Sequence, residues 1–307
     1  MALIHHNTAP VAGARFIDPQ VLARIASIEL IAKTVVDGFI SGLHRAPYLG
    51  LSMDFAEHRA YAPGDDVRRI DWRVYGRTDR LFVKEFLAES NAHFTILFDV
   101  SRSMDYGPSG VSKLDYGRYL AASLGYLSLK QRDRVGLVTF DCDIVALVPP
   151  SLKHFDRVLH TLETITPKRA GELTEPLAKV AQNLRRRGIV AVISDLYVEP
   201  AVLVDALMEL RYRGHDVVVF HILDAAELRL PEVDIRQFED METGERLPVI
   251  PAELRAQYGE TIRGHIDTLR RRLGEHDMDY GFFDTQQPLD HALFTYLTGR
   301  QRRVHVR

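Results

Sequence analysis

Beyond residue 92 the chain alternates between two hydrophobic rhythms. "HFTILFD", "RVGLVTF", "IVALVP", "GIVAVISD", "DVVVFHIL" and "MDYGFFD" are apolar runs of strand length. Between them, apolar residues recur three and four positions apart, as on one face of a helix. Leu114, Gly117, Ala121 and Leu124 share a face in "KLDYGRYLAASLGYLSLK", and Leu152, Phe155, Leu159 and Leu162 do so in "LKHFDRVLHTLET". A helix beginning near Thr174 turns Leu177, Ala181 and Leu184 inward, and "AVLVDALMELRYRG" reads as a helix closed by Gly214. Asp141-Cys142-Asp143 separates two strands at hairpin spacing, and "FEDMETGERLPV" reads as a second hairpin turning at Thr243-Gly244. A long helix follows, with Leu254, Tyr258, Ile262, Ile266, Leu269 and Leu273 on one stripe, and "LDHALFTYLTGR" reads as a last helix. Strands alternating with helices predict an α/β fold, a mostly parallel sheet covered on both faces.

The first 90 residues have a different pattern. "IASIELIAKTVVDGFI" sets Glu29, Lys33 and Asp37 four residues apart, on one side of an amphipathic helix. Downstream, Pro63-Gly64 marks a turn, and "RLFVKEF" alternates as a half-exposed strand. This stretch is charged and has little core of its own. The expected organisation is a helix and charged β extension over 1–90, packed on an α/β domain over 91–307. Arg59, Asp65, Asp66, Arg68, Asp71, Arg73 and Arg77 interleave opposite charges around Trp72. Two readings stand: an ion-pair network that fixes the extension to the core, or a docking face for a partner, since Trp and Arg often anchor interfaces.

Composition narrows the partners. The formal net charge is −3, which gives no electrostatic argument for nucleic acid or an anionic membrane. A single cysteine, Cys142, excludes an internal disulfide and a cysteine metal cage. No run approaches the roughly 18 apolar residues of a membrane span. The N-terminal "MALIHHNTAPVAGARF" lacks a basic segment followed by an apolar core. The expected location is the cytoplasm.

The candidate chemistry lies where strands end. Asp99, Ser101 and Ser103 form a D-x-S-x-S cluster directly after "TILF", and Asp195 follows "VAVIS". In an open α/β sheet, ligands bind beyond the carboxyl ends of the strands, where strand order reverses. Thr174 lies at the start of a helix after the loop "RAGEL", with Thr164 and Thr166 as nearby alternatives. Taken alone, the serines also suit the simpler role of capping the next helix. Together the five residues form an all-oxygen set of the kind that hard divalent cations prefer.

D-x-S-x-S, a distant threonine and a strand-terminal Asp resemble the metal-ion-dependent adhesion site of von Willebrand factor A domains. The resemblance implies Mg²⁺, or another divalent cation such as Mn²⁺ or Ca²⁺. Ser101 and Ser103 would bind it through their hydroxyls, Thr174 would join when a partner binds, and Asp99 and Asp195 would act largely through water. One departure stands out: the second acid is usually followed by glycine, and here the pair is Asp195-Leu196. A longer resemblance covers nearly the whole chain. "GLHRAPYLGLSMDF", "HRAYAPGDDVRRIDWRVYGRTDRLFVKEFLAE", "FDVSRSM" and "FEDMETGE" look like a bacterial family catalogued as a domain of unknown function. Its members carry a von Willebrand A-like core and are often encoded beside MoxR-type AAA+ ATPases. Many have two N-terminal membrane spans; this chain resembles the shorter type without them.

Enzymatic readings find less support. The haloacid-dehalogenase pattern needs an acid two residues after the first Asp, where this chain has Ser101. Phosphate-loop, dinucleotide, G-x-S-x-G and H-E-x-x-H motifs are absent. The resemblance implies a non-enzymatic, metal-dependent interaction module, an adaptor of a MoxR-type ATPase that captures an acidic residue of a client. The competing expectation is a Mg²⁺-dependent hydrolase or phosphatase built on the same carboxylates.

Overall fold

The computed structural model describes residues 18–45, 58–61, 70, 72–84, 92–184, 186–228, 236–240, 244–249, 251–294 and 296, apart from 26 and 109. The chain divides into two compact units, Met1–Arg15 with Asp37–Ser90, and Phe16–Val36 with Asn91–Arg307. Its elements begin with α1 (Pro19–Leu22), α2 (Ile28–Arg45), β1 (His58–Ala60), α3 (Trp72–Thr78) and β2 (Phe82–Lys84). They continue with β3 (His93–Asp99), α4 (Lys113–Lys130), β4 (Arg134–Phe140), β5 (Ile144–Ser151), α5 (Phe155–Thr164), α6 (Thr174–Asn183) and β6 (Gly188–Ser194). Then come α7 (Pro200–Tyr212), β7 (Asp216–Leu223), α8 (Ala225–Leu228), β8 (Arg236–Glu239), β9 (Arg246–Val249), α9 (Pro251–Glu275) and β10 (Asp279–Asp284). A last helical stretch covers 289–294.

In the smaller unit, β1 and β2 pair antiparallel, with Arg59 opposite Val83. Helix α3 was not expected from "DWRVYGRT". A seven-residue helix holds too few turns to display an apolar period, and its largest side chain, Trp72, is 61% exposed. Trp72 meets Tyr75 edge to face at 6.0 Å. Arg77 is exposed. Of the interleaved charges, Asp65, Asp66, Arg68 and Asp71 lie outside the described residues, as do the side chains of Arg59 and Arg73.

The larger unit is built on one six-stranded sheet in the order β10-β7-β6-β3-β4-β5. All neighbours are parallel except β4 and β5, which form the expected hairpin. The α/β expectation therefore holds, with a mostly parallel sheet and a single antiparallel edge. Successive side chains of a strand face opposite ways, and the core follows that rule. Leu97 of β3 and Val190 and Val192 of β6 pack with Leu177, Leu203, Leu207, Leu269 and Leu273 of α6, α7 and α9. On the other face, Phe98 and Ile193 meet α4 at Gly117, where an added Cβ would lie 2.5 Å from the Phe98 ring. Phe94 meets Tyr296 edge to face there. The first half of α2 belongs to this unit: Ile31, Ala32, Val35 and Val36 are buried, and the Ile28 N–H donates to Glu163 on α5.

The order of the strands fixes where chemistry can sit. From β3 the chain steps outward to β4 and β5, then returns to the other side of β3 for β6, β7 and β10. The reversal lies between β3 and β6, so the crevice beyond their carboxyl ends is the place for a ligand. Asp99 ends β3 and Asp195 follows β6.

Candidate metal centre

Asp99 is buried, at 3% exposure, and neutral donors hold both of its oxygens. Oδ1 accepts from the Ser101 N–H at 2.9 Å, and Oδ2 accepts from the Ser194 hydroxyl at 2.6 Å. The second bond follows from register. Phe98 pairs with Ile193, so Asp99 and Ser194 emerge side by side on the same face of adjacent strands. The Ser194 oxygen in turn accepts from the Leu196 N–H at 3.0 Å. Burial and the neighbouring Asp195 carboxylate push Asp99 up to about 7, against the pull of its hydrogen bonds from Ser194 and Ser101. Ser101 is buried and Ser103 half-buried, and their hydroxyl oxygens lie 3.1 Å apart at the start of a 3₁₀ turn, Arg102–Asp105.

Asp195 has a different partner. Its Oδ2 accepts from Lys113 Nζ at 2.8 Å, and the same ammonium donates to Glu227 Oε1 at 2.6 Å. Lys113 is fully buried, its ammonium 5.0 Å from the centre of the Tyr197 ring. Burial alone would lower its pKa; the Asp195 and Glu227 carboxylates outweigh burial and raise it. Burial raises Glu227, while Lys113 pulls it down. Lys113 reaches this position because it opens α4, capped by Ser112, four residues before Gly117 on the same helix face. Glu227 is fixed by reciprocal capping of α8. Its Oε2 accepts from the Asp224 N–H at 2.8 Å, and Asp224 Oδ1 accepts from the Ala226 N–H at 2.9 Å. Thr285 donates to the other Asp224 oxygen at 2.8 Å.

The position after Asp195 explains its departure from glycine. Leu196 has φ +52, in the left-handed region that glycine occupies without strain. Its side chain is fully buried in the core under α6, α7 and α9, and that packing holds the strained backbone. Its carbonyl lies 3.1 Å from His265 Nε2 on α9.

The structure thus joins Asp99, Ser101, Ser103 and Ser194 by hydrogen bonds, with Asp195 close enough to perturb Asp99. Thr174 stands outside that set. It is exposed at the start of α6, and its N–H donates to Glu172 at 2.8 Å. Its loop does reach the serines, since the Arg102 N–H donates to the Arg169 carbonyl at 2.9 Å. The alternative Thr164 closes α5, with its hydroxyl donating to the His160 carbonyl. Lys113, Glu227 and Ser194 were not anticipated. Two signals were present: a lysine at the first helical position, where the helix dipole favours anions, and the capping pattern D-x-x-E in "LDAAEL".

Among the described residues no cluster of three or more His, Cys, Asp or Glu is placed to hold a metal, so fit rests on two acids with hydroxyls. On the Asp99 side the donors suit a small divalent cation. The 3.1 Å between the serine oxygens matches adjacent corners of a Mg²⁺ octahedron, about 3 Å for ligands at roughly 2.0–2.1 Å. On the Asp195 side one carboxylate oxygen already faces an ammonium.

Comparison with known proteins follows this geometry. A family model described as "Protein of unknown function DUF58" matches residues 57–268. Uncharacterized proteins of Mycobacterium bovis and Mycobacterium tuberculosis are 30% identical over 232 residues, 74% of this chain and 73% of theirs. Among solved structures, BatB of Bacteroides thetaiotaomicron is 19% identical at TM-score 0.48, covering 69% of this chain and 99% of its own. The SpRpn10 VWA domain is 12% identical at TM-score 0.42, covering 66% of this chain and 94% of its own. The mostly parallel six-stranded sheet with one antiparallel edge is a von Willebrand factor A-like α/β architecture. No helix among the described residues is long and apolar enough to cross a membrane. The match over 57–268 and the mycobacterial relatives place this chain in the DUF58 family of proteins of unknown function.

Proposed function

We propose that the protein is a metal-dependent protein-interaction module in which Asp99, Ser101 and Ser103 hold a Mg²⁺ or similar ion, with Asp195 and Thr174 at the margin. The observation that carries this reading is the pair of serine hydroxyls 3.1 Å apart beside a buried acid at the strand-order reversal. A bound divalent cation there would supply a Lewis-acidic position for an incoming carboxylate. The protein's own residues supply the rest: uncharged hydroxyls leave the ion's charge unspent, and the Ser194 hydroxyl and Ser101 N–H hold the Asp99 carboxylate in place.

Binding rather than hydrolysis is favoured because the position two residues after Asp99 holds Ser101 in place of a second acid, so no acid/base partner stands beside this carboxylate in the D-x-S-x-S cluster. The partner proposed is a MoxR-type AAA+ ATPase in the cytoplasm, with an acid-bearing client as the captured segment. Calorimetry of this chain against a MoxR-type ATPase of the same organism, in Mg²⁺ and then in EDTA, tests the reading. Binding in Mg²⁺ alone is expected. Equal affinity in both buffers would remove the ion from recognition and make hydrolysis the next activity to assay.

A further inference from the structure

We propose that Lys113 is a built-in competitor of the divalent cation: its ammonium holds the Asp195 carboxylate, and Glu227 is the second seat that draws the ammonium away when an ion binds. The proposal rests on the metal-binding reading above and adds what governs affinity. Three observations carry it. Lys113 Nζ is buried and bridges two carboxylates at 2.8 and 2.6 Å, so it sits at a fork with a partner on each side. Glu227 is a built seat, since its second oxygen caps α8 and its carbonyl accepts from the Tyr258 hydroxyl at 2.8 Å. The aromatic faces of Tyr197 and Tyr106, at 5.0 and 5.9 Å, favour a cation over water around the ammonium.

The physical consequence follows from sign. An ion drawing on Asp99 and Asp195 meets a positive charge already bonded to one of them, in a site shielded from water. Repulsion there is stronger than at a surface. The ion binds well only if the ammonium leans toward Glu227. Asp99 has no such competitor, because its donors are neutral.

The test is a Mn²⁺ titration of the full chain, followed by the electron paramagnetic resonance signal of free Mn²⁺. Wild type, Lys113→Met, Glu227→Gln and the double variant form a cycle. Lys113→Met is expected to bind at least about tenfold tighter than wild type, and Glu227→Gln several-fold weaker. In the Lys113→Met background, Glu227→Gln should change affinity little, because no ammonium remains to be drawn away. A plain loss of field would instead give additive steps. No tightening in Lys113→Met, or an additive cycle, overturns the proposal and leaves the metal reading intact. If Lys113→Met does not fold, the double variant is compared with Glu227→Gln alone, and equal affinity overturns the proposal. If that double variant is also unfolded, an affinity unchanged between wild type and Glu227→Gln does so. Folded wild type and variants that all fail to bind Mn²⁺ at millimolar concentration would remove the metal reading, and this proposal with it.

Discussion

The two acids of the site are one strand apart and are held in opposite ways. Asp99 is fixed by an N–H two residues on and by a hydroxyl of the adjacent strand. Asp195 is fixed by an ammonium 82 residues away in sequence, which a glutamate on α8 shares. Neutral donors orient a carboxylate and leave its charge available. An ammonium orients it and cancels that charge. The Asp99 half is therefore suited to receiving a cation, whereas the Asp195 half already contains one. The difference also predicts where stability resides, since breaking a buried ion pair strands a charge and removing a neutral hydrogen bond does not.

Five substitutions test that contrast. Lys113→Met should have the largest effect, lowering unfolding free energy in urea by about 3–5 kcal/mol, because two acids lose their buried cation. A loss under about 1 kcal/mol would mean that water already reaches the pair and that the halves do not differ. Leu196→Ala should cost about 3 kcal/mol, since it removes a buried side chain and retains the left-handed backbone. Leu196→Gly should cost about 1 kcal/mol less than alanine, although it removes more side chain, because it releases the strain. Equal melting temperatures for the two variants would show that Leu196 stores none. Gly117→Ala pushes on the Phe98 ring beneath the ammonium half and should cost about 2 kcal/mol. A neutral outcome in thermal denaturation would mean that α4 can lift off without disturbing Lys113. Asp99→Asn should have the smallest effect, about 1 kcal/mol or less, because the amide oxygen still accepts one of the two donors. A loss as large as that of Lys113→Met would erase the distinction.

The sheet and one half of the site were legible along the chain because both depend on local order. Apolar runs such as "TILF" and "VAVIS" mark buried parallel strands whatever surrounds them, and Asp99, Ser101 and Ser103 lie within five residues. The other half was hidden because it is assembled by tertiary contact. Lys113 and Glu227 look like ordinary charges at helix ends until α4 and α8 converge on Asp195. Ser194 is one more residue in a strand until register places it against Asp99. The glycine missing after Asp195 was visible, but its meaning was not, since φ at Leu196 is set by how the chain leaves β6. The pattern of residues 1–90 groups the start of α2 with the N-terminal extension, and no local signal reveals that Ile31, Ala32, Val35 and Val36 belong to the large unit.

The placement of β3 between β4 and β6 also sets an order of events during synthesis. β4 and β5 form a hairpin and can pair as soon as they emerge, because a short loop costs little entropy to close, and β3 can join β4 once α4 has crossed over. The bond from Ser194 to Asp99 spans 95 residues, so the second side of β3 stays open until β6 is made. In a nascent chain, Asp99 and the serines line an exposed strand edge before Asp195 exists, and long-range parallel pairing is slow to form. A ribosome-stalled chain ending before Gly188 should thus expose β3 to hydrogen exchange, and completion of β6 should protect the strand and create the site in one step.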